Sequence, residues 1–461
     1  MIYDMMEKRR PYCRSLFGRR LDARRGRRLV SRAVAVALSN VVTCALTAVT
    51  LLAQPRGELS VMGTFAVTRA APGVFGNDVT DGYLTQPVVM AGVRRGPFAI
   101  ISALNFEGYT LRRGELNAGI FGEGYVDRRH PHTLVHELMF SAATSPARML
   151  RASIAAGKGF TPFGTDDPMM RPLEKFPVNH HHGQIIERVQ VIGALRVGDA
   201  TRGATLEQAF FNGDEPLGPF AGPQWHRVGD SRTTRLTLMP SRGIEVQGSR
   251  AFVRSPGIIQ GGAFDHTQTD ISVRIDRSTP ATAMTGPSMP GHAMPTTRRY
   301  LLLEFARTDE GFGAQRAFRY TSLLAEGAID HRGWGVAARA ERTDRPENER
   351  LLDPFRTANG HIDFQILGIT RWTVATAHLD TPTWFIPHLT STHMRTLLRP
   401  FVEVSRATPV ALRTPAVFIP LDFYGASTLW SLSVGFRVHI NVLSDQMRGR
   451  MGRYGVLARD P

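Results

Sequence analysis

Three clusters of polar or sulfur-bearing side chains could carry chemistry in this sequence. The first occupies residues 158–182, where carboxylates, basic side chains and three consecutive histidines share one stretch. Its members are Asp166, Asp167, Arg171, Glu174, Lys175, His180, His181 and His182. Neutral imidazole and carboxylate are both good metal ligands, so a metal site is one interpretation. A solvated surface loop is another, although a loop this long is uncommon unless it is functional or disordered.

The second cluster combines methionines with a histidine in residues 282–296, a segment rich in Gly and Pro that shows no strand pattern. Its members are Met284, Met289, His292 and Met294. Thioether and imidazole groups suit Cu(I). The segment therefore indicates either a copper-binding loop or a mobile extracellular loop that binds no metal.

The third cluster contains His130, His132, His136 and Glu137. The order His-x-x-x-His-Glu differs from the His-Glu-x-x-His of zinc metalloproteases, which also requires a helix. The residues that follow, LMFSAAT, favour a strand, on which His132 and His136 would stand about 13 Å apart, too far for one metal ion. This cluster predicts a turn and the entry to a strand. Since no nucleophile elbow, phosphate-binding loop or catalytic triad is recognisable either, we expect a protein that is not an enzyme.

The elements that must position these clusters are strands. Between residues 428 and 440 the even positions are Thr, Trp, Leu, Val, Phe, Val and Ile, and the odd positions are mostly small or polar. This alternation over thirteen residues is far longer than the average soluble strand of about 5–6 residues. Less regular segments of the same kind are residues 98–109, 184–197, 244–252, 300–306, 362–374 and 395–405.

Tight connections join many of these segments. Turn-like residues at 94–97, 240–243 and 330–333 predict hairpins. Long polar stretches separate the hairpins, at residues 160–182, 212–230, 278–297, 343–360 and 380–395. Short turns at one end and long loops at the other are typical of a barrel that crosses a bilayer.

Composition and charge agree with export rather than with nucleic-acid binding. The chain has 461 residues and a formal net charge of +16, but half of that charge lies in residues 1–32. An uncharged apolar stretch, residues 33–53, follows this basic region, which predicts a signal peptide in residues 1–53. The true start of the chain could lie near Leu29 or Val30, in which case the first 28 residues are not part of the protein. The alternative to a cleaved signal peptide is a retained membrane anchor. Both cysteines lie before residue 54, so the remaining chain needs no disulfide framework.

With these features the chain resembles the porin-like outer-membrane β-barrel proteins of bacteria. The resemblance implies an all-β fold for residues 54–461, a transmembrane antiparallel up-and-down barrel of about 16 strands (14–18). One feature departs from the class: the last strong strand stops near Asn441, and twenty residues follow where such barrels usually end on an aromatic residue.

The resemblance also implies a function, passive diffusion of small solutes through a lumen that the loop at 158–182 narrows. Asp166, Asp167, Arg171, Lys175 and the three histidines would then select solutes by charge. Inward-facing Arg188, Arg196 and Arg437 would favour anions mildly. We expect outer-membrane lipid, the assembly machinery, small solutes and copies of the same chain as partners, and no cofactor unless copper binds. The alternatives are a copper-binding barrel and an anchored periplasmic all-β binding protein.

Overall fold

The computed structural model describes residues 56–456 with interruptions. Outside the described residues lie 1–55, 73–75, 77, 112–131, 145–148, 166–167, 179–182, 200, 217, 257–263, 280–296, 349–365, 386–394, 413–418, 442–452 and 457–461. The predicted signal peptide falls outside this part of the chain. Residues from Arg56 onward form one compact unit.

The described chain is almost entirely antiparallel strand. The strands are β1 Arg56–Ala71, β2 Val79–Arg95, β3 Phe98–Asn105, β4 Val135–Ala143, β5 Leu150–Gly159, β6 Arg188–Gly198, β7 Gly203–Phe211, β8 Ser231–Ser241, β9 Ile244–Val253, β10 Asp265–Thr279, β11 Thr297–Phe312, β12 Gln315–His331, β13 Trp334–Asn348, β14 Ile366–Asp380, β15 Trp384–Phe385, β16 Arg395–Ala411 and β17 Leu429–Asn441. Two short helices, α1 Glu107–Thr110 and α2 Pro420–Tyr424, and a 3₁₀ turn at Pro168–Met170 lie in connections.

The sheet closes on itself into a barrel of sixteen strands. Each strand pairs with its neighbours in sequence, and β1 closes the barrel by pairing with β17 from Ser60↔Asn441 to Ala71↔Trp430. The two-residue β15 continues the line of β14, since both pair with β16. Closure leaves no open sheet edge, so every strand can satisfy its backbone groups inside the sheet. The predicted strand number and all-β architecture are confirmed.

The two faces of the sheet differ as the alternation in the sequence predicts. On β17, Trp430, Leu432 and Val434 face outward with 45–48% of their surface exposed, while Ser431 and Ser433 face the lumen and are buried. Exposed outward aromatics occur near both ends of the strands, as Phe98 and Trp334 do at one end and Phe210 and Trp430 at the other. An apolar outer band between aromatic girdles is the surface that a bilayer requires. This outward surface favours a membrane-spanning barrel over the periplasmic all-β alternative.

The barrel has a turn end and a loop end. The turn end carries the start of β1, the end of β17 and the tight connections at 96–97, 242–243 and 332–333. The loop end carries residues 106–134, 160–187 and 212–230. Two of the predicted long loops lie at the turn end, although all long loops were expected at the opposite end. β10 and β14 both run toward the turn end, so the long connections 280–296 and 381–394 join strands there and not at the loop end.

Candidate functional site

The lumen is lined by polar and charged side chains. Arg188 and Arg196 on β6 face inward, whereas outward neighbours such as Leu195 are exposed. Arg188 donates to the Asp214 carbonyl at 2.9 Å and pairs with the Glu215 carboxylate at 3.1 Å. Arg196 is fully buried and donates to the Thr205 hydroxyl at 3.1 Å. Arg188 is therefore held by the loop between β7 and β8, and Arg196 by the wall of the barrel.

Between β5 and β6, the described residues of segment 160–187 fold into the lumen from the loop end; we call this segment the inner loop. Its first part lies against β8 and β9. The Thr233 hydroxyl donates to the Pro162 carbonyl at 3.2 Å, and the Gly164 N–H donates to Ser249 Oγ at 3.0 Å. Nearly all of its described residues are buried. The segment that the sequence singles out as functional is thus a lumen element.

Arg171 anchors the middle of the inner loop to β11. Its guanidinium group pairs with the Glu304 carboxylate at 3.2 Å, and both side chains are buried. Thr165 bridges the two, because it accepts from Arg171 at 2.8 Å and donates to Glu304 at 2.5 Å. A buried ion pair survives only when its remaining polar atoms are also bonded, as the Thr165 bridge helps to ensure.

The next residues of the inner loop reach the opposite wall. The backbone N–H groups of Glu174 and Lys175 both donate to the Glu403 carboxylate of β16 at 2.9 Å. Lys175 Nζ donates to Ser405 at 3.2 Å, and the Val178 N–H donates to Glu341 of β13 at 2.7 Å. Wall carboxylates therefore serve as acceptors for the loop backbone. The inner loop crosses the lumen from β5 to β13 and β16.

Arg437, the third predicted lumen arginine, fastens the inner loop to β17. It pairs with the Glu174 carboxylate and donates to the Pro172 carbonyl at 2.7 Å. It also pairs with Asp380 of β14 at 3.2 Å. On the same wall His378 bonds to Glu403 through Nδ1 at 2.9 Å. The site is a network in which acidic and basic groups alternate.

Apolar contacts complete the anchoring of the inner loop. Met169 and Phe176 pack with Val88 of β2 and Ala103 of β3 in one buried cluster. Burial of such side chains stabilises the inward position by about 1.5–3 kcal/mol each. The loop is held by both apolar and ionic contacts.

The predicted site residues fall into two groups. Among the described ones, Arg171, Lys175 and Arg437 take part in the contacts of the inner loop, whereas Arg188 and Arg196 have separate partners on the lumen side of the barrel. Asp166, Asp167, His180, His181, His182, Met284, Met289, His292 and Met294 lie outside the described residues. Among the described residues, no group of three or more His, Cys, Asp or Glu side chains is arranged to hold a metal ion.

The predicted separation of His132 and His136 is wrong. Their ring centroids lie 4.9 Å apart in an edge-to-face contact. The reason is that β4 begins at Val135, so His132 precedes the strand and the backbone is not extended between the two residues. Each imidazole bonds to its own carboxylate, His132 to Glu107 and His136 to Glu187, both at 2.8 Å. His130 lies outside the described part of the chain.

Glu187 closes the inner loop just before β6. It accepts from the Thr133 N–H and the Thr133 hydroxyl, both at 2.7 Å, as well as from His136. Burial raises the pKa of Glu187, but the hydrogen bond from His136 and the charges of His136, His132 and Lys158 outweigh it. The net pKa lies well below the usual range. Glu187 is therefore an ionised acceptor that ties the inner loop to β4.

Sequence reasoning missed the acidic half of the site. Glu304, Glu341 and Glu403 hold the inner loop, yet each lies inside a strand and belongs to no motif. Strand alternation could have placed all three in the lumen, because they occupy the polar, inward-facing positions of their strands. What the sequence could not supply was the partner of each carboxylate.

Comparisons with known proteins give matches of low sequence identity. No family model matches this sequence, and no curated protein matches it. Solved structures do match. The anion-selective porin from Comamonas acidovorans has 9% identity and a TM-score of 0.46, over 84% of this chain and 100% of that chain. OmpT, an outer membrane protein of Vibrio cholerae, has 8% identity and a TM-score of 0.42, over 83% and 99%. OpdO of Pseudomonas aeruginosa has 10% identity and a TM-score of 0.34, over 84% and 97%.

The class of the protein follows from its own geometry. A closed sixteen-stranded barrel with an apolar outer face, a polar inner wall and an inner loop across the lumen is a porin-like outer-membrane β-barrel. No helix in the described part of the chain is long and apolar enough to cross a membrane.

Proposed function

We propose that this protein is a narrow porin-like channel for passive diffusion of small solutes across the outer membrane, and that it is not an enzyme. The observation that carries the proposal is the inner loop, a charged segment folded across a polar lumen and fastened to the walls on both sides. A loop in this place reduces the cross-section open to a solute. Since its described residues are largely buried, we expect a small conductance.

The same site gives a proposal for selectivity. A mild anion preference was expected from Arg188, Arg196 and Arg437, but these groups are bonded to wall or loop oxygens. Acidic side chains also outnumber basic ones among the buried charged residues. We therefore expect weak selectivity without a strong anion preference. Asp166, Asp167 and the histidines 180–182 flank the described part of the inner loop, and we propose that they line the passage with Arg171 and Lys175.

Single-channel recording in planar bilayers tests the proposal. The wild type should give small, discrete conductance steps. Glu403→Gln removes a charge that accepts two backbone N–H groups of the inner loop, so its steps should be larger and noisier. Glu310→Gln is the matched control, because Glu310 is an equally buried inward carboxylate that bonds to Tyr320 of β12 and His266 of β10. Absence of conductance steps from correctly assembled wild-type barrels would contradict the proposal.

Copper binding by the Met/His segment stays a prediction, since its four residues lie outside the described ones. Cu(I) titration of the wild type and of a variant with Met289→Ala and Met294→Ala tests it. Equal affinity in the two proteins would exclude this segment as the site.

A further inference from the structure

The segment after β17 folds back into the barrel. Residues 453–456 lie against the inner faces of β4 to β7, although the chain leaves β17 at Asn441. Tyr454 and Val456 are 5% and 0% exposed, so the lumen buries them as fully as it buries core residues. We call residues 453–456 the return segment.

Tyr454 is the main contact of the return segment. Its ring packs with Met139 of β4, Ala155 of β5 and Ile192 of β6. Its hydroxyl donates to the Glu137 carboxylate and accepts from the Phe160 N–H at 3.0 Å. Burial raises the pKa of Tyr454, and the charge of Glu137 raises it further, so the phenol remains a proton donor. Phe160 is the first residue of the inner loop, so Tyr454 bonds directly to the base of that loop.

The flanking residues hold the return segment on both sides of Tyr454. Arg453 pairs with Glu245 of β9 at 2.8 Å, and the Val456 N–H donates to Ser153 of β5 at 3.1 Å. Val456 also packs with Ala143 and Ala194, which lie toward the turn end of their strands. These contacts span the wall from β4 to β9. The return segment therefore occupies one side of the lumen near the turn end.

We propose that the return segment is a second lumen element of the channel, which blocks the β4–β9 side of the passage and fixes the base of the inner loop. The inference rests on the proposed function, since it concerns the width of the same pore. The inner loop enters from the loop end, whereas the return segment follows a strand that finishes at the turn end. The two meet at the bond between Tyr454 and Phe160.

Deletion of residues 453–461 tests the consequence for the channel. The deletion removes a buried aromatic ring and an ion pair from the lumen, so single-channel conductance should rise by about twofold or more. Tyr454→Phe keeps the ring but removes the hydroxyl, and it should leave the mean conductance nearly unchanged while increasing current noise from the freed loop base. An assembled deletion variant with wild-type conductance would overturn the proposal.

A disulfide assay tests whether the return segment lies inside the barrel, and it relies neither on conductance nor on the deletion variant. Residues from 54 onward contain no cysteine, so a pair can be introduced cleanly. Val456→Cys with Ala194→Cys should cross-link on mild oxidation, because the two side chains pack together inside the barrel. Val456→Cys with Leu195→Cys is the matched control, since Leu195 is adjacent in sequence but faces outward. Cross-linking in neither pair, or equally in both, would overturn the proposal. If the inner pair cross-links but no barrel conducts, the proposed function fails while the placement stands.

Discussion

At the residue scale, the protein is organised around buried carboxylates that accept several hydrogen bonds each. Glu107 is fully buried and accepts from the Thr85 hydroxyl, the Gln86 N–H and His132. Glu187 and Glu403 play the same part at the two walls that the inner loop joins. An ionised carboxylate in a buried place is tolerable only when donors surround it. The buried carboxylates of Glu187 and Glu403 therefore fix the position of the inner loop.

Replacing one of these acceptors should weaken the barrel measurably. Glu187→Gln keeps the shape but loses the charge that Thr133 and His136 bond to, so we expect a loss of about 1–3 kcal/mol in unfolding free energy. A folded barrel that is not heated migrates faster on an SDS gel than the unfolded chain. The measurement is the urea concentration at which half of this fast-migrating band is lost. Asp78→Asn is the control. It breaks an exposed ion pair with Arg69, which is worth at most about 1 kcal/mol. Equal midpoint shifts in the two variants would contradict the assigned role of Glu187.

The depressed pKa of Glu187 predicts a particular pH dependence. A carboxylate whose folded pKa is lowered contributes stability above its unfolded pKa, about 4.3, and loses it as pH falls through the folded value. The stability difference between wild type and Glu187→Gln should therefore be the same at pH 7 and pH 5.5 and should shrink below about pH 4. A difference that already grows between pH 7 and pH 5.5, where imidazoles gain protons, would show that the histidine partners, and not the carboxylate, control it.

The sequence predicts which basic residues face the lumen, but it does not predict the contacts and distances within the site. Strand alternation fixes the face of each residue, which is why Arg188, Arg196 and Arg437 were expected to face the lumen. Their ion-pair partners were not predictable, because Glu215 and Glu174, which pair with two of them, lie in loops. The distance between His132 and His136 failed for a related reason. An extended backbone was assumed from His132, which lies three residues before β4 begins.

At the element scale, period-two alternation and turn residues predicted the strands closely. The predicted alternation at 428–440 became β17, and the hairpin connections at 94–97, 240–243 and 330–333 were all confirmed. The courses of the inner loop and the return segment were not predictable in the same way. A strand reveals itself by local period, whereas a segment that folds into a lumen is held by scattered residues on distant strands. Residues 453–456 carried no local sign of their inward position.

Closure of the barrel between β1 and β17 depends on one small residue. A Cβ atom at Gly435 would lie 2.0 Å from the Phe65 carbonyl oxygen of β1 and 2.8 Å from the Phe401 ring. Gly435→Ala should therefore disturb the pairing that closes the barrel and reduce the yield of the fast-migrating band. Gly193→Ala on β6 is the matched control, since nothing lies within 4 Å of a Cβ there. Equal yields from the two variants would contradict this account of closure.

At the scale of the whole molecule, the fold is a membrane barrel whose interior is occupied from two directions. The outer face carries exposed Leu, Val and Trp side chains, and the inner face carries the buried charged side chains. Such an inverted surface is stable only when lipid covers the outside and polar groups satisfy one another inside. The inner loop and the return segment satisfy many of those inward groups.

The most direct test of the barrel is electrophoresis of outer membranes from expressing cells, with samples loaded unheated and boiled. A closed sixteen-stranded barrel resists detergent until it is heated. We therefore expect an outer-membrane band that migrates faster in the unheated sample than in the boiled one. A band that appears in the soluble or inner-membrane fraction, or that migrates identically in both samples, would contradict a closed membrane-spanning barrel.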